Sequence, residues 1–132
     1  MYLLDTNICI YAMKNTYPNL TKRLFETDPA KIYLSSVTIA ELEYGCAKSM
    51  WETRSRSVTS IFVSTYSVLP FEQEDAVLSG RLRAELAKAG KPIGPYDILI
   101  AAQGIARGLT VITHNTEEFR RVPGIQLEDW TK

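Results

Sequence analysis

Short apolar runs that alternate with longer helical stretches predict an α/β domain with three layers, a central, mainly parallel sheet of about five strands with helices on both faces. Three observations carry that prediction. Five brief runs, near Tyr2-Leu4, Ile32-Leu34, Val68-Leu69, Leu109-Thr113 and Ile125-Leu127, are each separated by helical sequence. One helical stretch, Ile98 to Ala106, is almost wholly apolar and so belongs in an interior. The chain of 132 residues shows no internal repeat, low-complexity tract or dividing linker, which fits one domain over residues 1–132.

Each element has a local reason. Tyr2-Leu3-Leu4 reads as a buried strand that ends at Asp5, with Thr6 or Asn7 capping a helix from Ile8 to Lys14. Pro18 suits the first turn of a second helix, with Leu20, Leu24 and Phe25 on one face, and Asp28-Pro29 stops it. After the Ile32-Leu34 strand, Ser35-Ser36 caps a helix to about Lys48. Another helix covers Glu52 to Thr65, before the Val68-Leu69 strand and Pro70. Gln73 to Ala89 is the clearest helix: Leu78, Leu82, Leu86 and Ala89 form a stripe, Arg81 and Glu85 are spaced to pair, and Gly90 ends it. Pro95 opens the apolar helix, which stops at Gly108. The β-branched run Leu109-Thr113 is the best strand, followed by a short helix over Asn115–Arg121 and a last strand near Ile125-Gln126-Leu127.

Composition narrows the function. An apolar fraction of 45% with 23% charged residues is that of an ordinary globular domain. No apolar run is long enough to span a membrane, and Met1-Asp5 lacks the features of a signal peptide, so a cytoplasmic location without membrane attachment is the default expectation. Cys9 and Cys46 lie in separate segments without CxxC spacing and read as small buried hydrophobes. Fifteen basic and fifteen acidic residues cancel, which counts against nucleic-acid binding through a global field. Locally, Lys48, Arg54, Arg56, Arg81, Arg83, Lys88 and Lys91 crowd mid-chain, where solvated helix surface is their simplest role. There is no phosphate-binding glycine loop and no Ser-His-Asp or Cys-His set, which disfavours nucleoside-triphosphate, dinucleotide and triad chemistry.

Acidic residues then stand out by position. Ligands of open parallel sheets bind beyond the carboxyl ends of the strands. Asp5 ends the first strand, Asn115 and Glu118 follow the Leu109-Thr113 strand, and Asp97 sits in the first turn behind Pro95. Glu41 lies in the helix after the second strand. Asp5 also suits an N-cap or turn, and Asp97 suits the positive end of a helix dipole. Glu41 and Glu43 point roughly 200° apart, and the small stripe Thr38, Glu41, Gly45 favours Glu41 as the inward one. Clustered carboxylates repel, and a divalent cation offsets that repulsion. Oxygen donors without His or Cys select Mg²⁺ or Mn²⁺. His114, the one histidine, reads as a polar residue at a strand end.

These residues resemble motifs of the PIN-domain ribonucleases, and within them of the VapC toxins. Leu4-Asp5-Thr6-Asn7 is similar to the family's first motif and Ala40-Glu41-Leu42-Glu43-Tyr44-Gly45 to its second. Ile93-Gly94-Pro95-Tyr96-Asp97 with Ile100-Ala101 resembles the third, Thr113-His114-Asn115-Thr116-Glu117-Glu118-Phe119 the fourth, and Glu128-Asp129-Trp130 a common ending. The resemblance covers the whole chain and implies a PIN-like fold. It also implies a catalytic set of Asp5, Glu41, Asp97, Asn115 and Glu118, with Asp5 and Asp97 as ligands of Mg²⁺ or Mn²⁺. Many members carry Asp where this chain has Asn115, an amide that adds no charge, which weakens the expectation of a second tightly held metal.

The implied reaction is hydrolysis of an RNA phosphodiester to a 5′-phosphate and a 3′-hydroxyl, with Glu41 orienting water and Arg81, Arg83 and Lys91 near the RNA backbone. The best single expectation for substrate is the anticodon stem-loop of initiator tRNA. Implied partners are a VapB-like antitoxin whose tail covers the acidic rim, operator DNA reached only through that antitoxin, and a second copy in a homodimer. Trp51 and Phe62 are candidate anchors, with core packing the simpler role for Phe62. Two readings compete. A haloacid-dehalogenase-like phosphatase needs an Asp two residues after the first, where this chain has Asn7. A non-catalytic PIN-like binding protein would keep the acids without cleaving RNA.

Overall fold

A computed structural model describes all 132 residues, Met1–Lys132. Strand β1 (Tyr2–Leu4) leads into α1 (Thr6–Met13) and α2 (Pro18–Glu26), and a 3₁₀ turn at Pro29–Lys31 precedes β2 (Ile32–Ser35). Helices α3 (Ser36–Lys48) and α4 (Glu52–Thr65) follow, then β3 (Ser67–Leu69), α5 (Gln73–Lys88) and α6 (Pro95–Ala106). Strand β4 (Thr110–Ile112), the four-residue α7 (Thr116–Phe119) and β5 (Gln126–Glu128) complete the chain. No helix is long and apolar enough to cross a membrane.

All pairings are parallel, and the sheet order is β3-β2-β1-β4-β5. Successive strand residues face opposite layers. Leu3 and Val111 enter one core with Leu82, Leu86, Ile98 and Phe119, while Leu4 and Ile112 enter the other with Ile8, Leu20, Leu34 and Leu42. Both faces are therefore covered, as the continuous apolar strands require. Helix α6 lies almost on the sheet: a Cβ on Gly104 would sit 2.6 Å from Val111 Cγ2. Its end is tied down by polar contacts. Gln103 Nε2 donates to the Leu69 and Pro70 carbonyls, and Arg107 Nη2 meets Asp75 Oδ2 at 2.9 Å.

The chain runs from β1 outward through β2 and β3, then returns to β4 on the other side of β1. The order reverses between β1 and β4, whose carboxyl ends are therefore where an open parallel sheet forms its ligand crevice.

Several sequence expectations need correction. Asp5, not Thr6 or Asn7, caps α1, its Oδ1 accepting from the Ile8 N–H at 2.8 Å. Phe25 is 92% exposed, because it lies five residues after Leu20, roughly 140° round the helix. Ala89 is exposed beyond the end of α5. Arg81 and Glu85 make no ion pair, and a cation N-terminal to the acid is the weaker arrangement on a helix. Helix α7 is shorter than Asn115–Arg121, with Asn115 as its cap residue. Both cysteines are buried and free.

Candidate active site

Asp5 leaves β1 at the crevice and is buried to 3% exposure. That burial pushes its carboxyl up to about 6, the charge of Glu41 adds to the rise, and the Thr113 hydroxyl and Ile8 N–H partly oppose it. Asp97, in the first turn of α6, is also pushed up to about 6. Burial is the largest cause there, followed by the charges of Asp5, Glu118 and Glu41. Two aspartates from opposite halves of the chain thus share one electrostatic environment.

Glu41 turns toward them from α3. Its Oε1 accepts from Thr6 Oγ1 at 2.6 Å, and Thr38 Oγ1 lies 3.0 Å from the same Thr6 oxygen. Thr6 has one hydroxyl hydrogen and gives it to Glu41, so Thr38 donates to Thr6. Glu43 faces the other way, paired with Arg56, which also holds Glu52.

Glu118 is fixed at both oxygens. Oε1 accepts from the Gly94 N–H at 2.8 Å, and Oε2 from Asn115 Nδ2 at 2.6 Å. Asn115 therefore serves Glu118 through its amide nitrogen. Gly94 is the position that sequence reasoning missed. A Cβ there would come within 3.1 Å of Asp97 Oδ2 and 3.8 Å of Glu118 Oε1, so the bare backbone is what lets the two acids approach the loop. Thr6 and Thr113 were also missed as site residues, since their roles depend on contacts far along the chain.

His114 stands beside this group. Its Nδ1 lies 3.2 Å from Asp129 Oδ2 and 2.9 Å from Thr131 Oγ1, and its ring packs near Tyr11 and Tyr17. Burial acts to raise the Asp129 carboxyl, but hydrogen bonds from Thr131 and His114 outweigh it and hold it below its ordinary range. Arg81, Arg83 and Lys91 are exposed, as is Trp51, whereas Phe62 is half-buried against Tyr66.

No three His, Cys, Asp or Glu side chains are drawn tightly enough together to cage a metal ion by themselves. The donor chemistry nonetheless suits Mg²⁺ or Mn²⁺. Such ions are commonly held by one or two carboxylates, with water and substrate oxygens completing the shell. Asp5 and Asp97 carry oxygen donors only; burial chiefly, and neighbouring acids in addition, raise both carboxyls, and a hard cation would offset these costs.

A parallel sheet with acids converging at its switch point places the molecule among α/β proteins with a carboxylate-lined crevice, and a PIN-domain family model matches residues 2–125: the chain belongs to the PIN-domain family. Within it the similarity is to VapC proteins. The chain is 44% identical to the tRNA(fMet)-specific endonuclease VapC of Shigella flexneri, over 98% of both chains. Its structure is similar to that in DNA-bound VapBC from Salmonella typhimurium, with a TM-score of 0.92 and 43% identity over 98% of this chain and 97% of that one. It is also similar to VapBC2 from Rickettsia felis bound to a DNA fragment from their promoter, with a TM-score of 0.91, 37% identity and 98% of each chain covered.

Proposed function

We propose that the chain is a Mg²⁺- or Mn²⁺-dependent endoribonuclease and the toxin of a type II toxin–antitoxin pair. The observation that carries this reading is the approach of Asp5, Glu41, Asp97 and Glu118, from separate elements, to one crevice. A divalent ion there would supply positive charge against the phosphate and make water a better nucleophile. Asp5 and Asp97 would hold it. Glu41, aimed by the Thr6 hydroxyl, orients the water that adds to phosphorus as the bond to the 3′-oxygen breaks, giving a 5′-phosphate and a 3′-hydroxyl. Asn115 and Glu118 fasten α7 to the Gly94 loop and so position the first turn of α6, including Asp97.

Initiator tRNA is the proposed substrate, supported by the name of the Shigella flexneri relative, and its anticodon stem-loop is the proposed place of cleavage. A VapB-like antitoxin and, through it, operator DNA are the proposed partners, supported by the VapBC complexes with DNA. The toxin is proposed to work as a homodimer. Incubating the purified chain with initiator tRNA and with bulk tRNA, in Mg²⁺, in Mn²⁺ and in EDTA, tests the reading. Metal-dependent cleavage confined to the anticodon arm of initiator tRNA is expected. Cleavage that persists in EDTA, or none with either metal, overturns it.

A further inference from the structure

Beside the carboxylates a groove of about 610 Å³ runs along α3, from Thr6 and Glu41 past Gly45 to Lys48, with Tyr44 and Tyr96 on its walls. Its volume is in the range of small-ligand sites. The two tyrosines are 65% and 53% exposed, more than core packing explains. Lys48 stands 4.8 Å from the centre of the Tyr44 ring and makes no ion pair. Gly45 leaves the floor open: a Cβ there would meet nothing within 4 Å.

Two exposed tyrosines with a lysine over one face of Tyr44 leave the other ring faces and an ammonium for single-stranded nucleic acid, because every base can stack and every phosphate is an anion. On a chain of zero net charge, such local provision has to replace a global field. A basic peptide tail would be drawn to the Glu41 end and repelled at the Lys48 end, whereas a nucleotide can set its phosphate at Lys48 and its base on a tyrosine. We propose that this groove binds an unstacked nucleotide flanking the cleaved phosphodiester, its base against Tyr44 or Tyr96 and its phosphate near Lys48. The proposal rests on the ribonuclease reading above and names where that substrate's single-stranded part lies.

Binding and cleavage test it separately. Fluorescence anisotropy of a labelled single-stranded RNA and of its duplex is measured on the Asp97→Asn protein, with added Tyr44→Ala, Tyr96→Ala, Lys48→Gln or Gly45→Leu. The alanine changes are expected to weaken single-strand binding roughly five- to a hundredfold, with Tyr44→Phe and Tyr96→Phe close to the parent. Lys48→Gln is expected to make the slope of log affinity against log salt shallower by about 0.7, the loss of one phosphate contact. Gly45→Leu adds bulk at the groove, where a Cβ meets no atom within 4 Å, and circular dichroism checks that each variant is folded. With Asp97 restored, KM is expected to rise while kcat stays near that of the parent.

Single-strand affinity unchanged in all the groove variants overturns the proposal. So does loss of binding to a VapB-like antitoxin with RNA binding intact, which would assign the groove to protein. A parent that binds the oligonucleotide through the groove but cleaves no RNA fails the ribonuclease reading alone.

Discussion

Asp5 does two jobs with one side chain. Oδ1 caps α1, and the carboxylate as a whole faces the charges of the crevice. Sequence alone leaves ligand and N-cap as alternatives, but the geometry lets both operate, because the cap occupies one oxygen. Gly94 makes the opposite point. Its N–H holds Glu118, 24 residues away, and its missing side chain gives Asp97 room. No local pattern announces such a role. Gly94→Ala is expected to leave the protein folded, with a melting temperature within a few degrees of the parent. Its Cβ must displace Asp97 Oδ2 by a few tenths of an ångström, so metal affinity is expected to fall about tenfold or more. Titration of Mn²⁺ against tRNA cleavage checks this, and an unaltered metal dependence would show that Asp97 does not depend on that space. Asp97→Asn is expected to abolish cleavage outright, with the circular dichroism spectrum kept.

At the scale of elements, periodicity and capping residues were enough to place most helices. Ser35, Pro18 and Pro95 mark starts that the structure keeps. What the pattern misjudged was which way some side chains face. Phe25 and Ala89 project into water because helix phase and helix length, not apolar character, decide burial. The polar join between α5 and α6 was invisible for a related reason. Asp75 and Arg107 are 32 residues apart, and each looks like ordinary helix surface in sequence. In the fold Asp75 is fully buried, accepts from the Glu72 N–H and pairs with Arg107. Arg107→Ala is expected to destabilise the protein, because the fully buried Asp75 loses its cationic partner. Urea denaturation of the parent and the variant measures it, with a lower midpoint expected for the variant. An unchanged midpoint would mean that water reaches Asp75 and replaces the guanidinium.

For the whole molecule, the number of strands was legible but their order was not. Runs of three residues carry too little pattern to state which neighbours they pair with, and the placement of β4 beside β1 is what brings Asp97 and Thr113 to Asp5. That convergence has an energetic consequence that can be measured on the intact fold. Asp5 and Asp97 rise from 3.8 in the unfolded chain to about 6 in the fold, so the folded state binds their protons more tightly. Their contribution favours folding below about pH 4 and is lost as pH climbs through about 6. Above that, keeping Asp5 ionised costs about 3 kcal/mol, and the more open Asp97 costs less. In metal-free buffer at pH 7.5, Asp5→Asn is therefore expected to melt above the parent, since the amide retains the cap while removing the charge. The gap should close toward pH 4. Mg²⁺ at a hundred times its dissociation constant is expected to add about 2.7 kcal/mol to the parent at pH 7.5. At pH 5 the gain should be much smaller, because protons then compete for the same oxygens. Differential scanning calorimetry at the three pH values, with EDTA or Mg²⁺, reads all of these shifts. A metal response of equal size at pH 5 and pH 7.5, or one retained in Asp5→Asn, would place the ion elsewhere in the molecule.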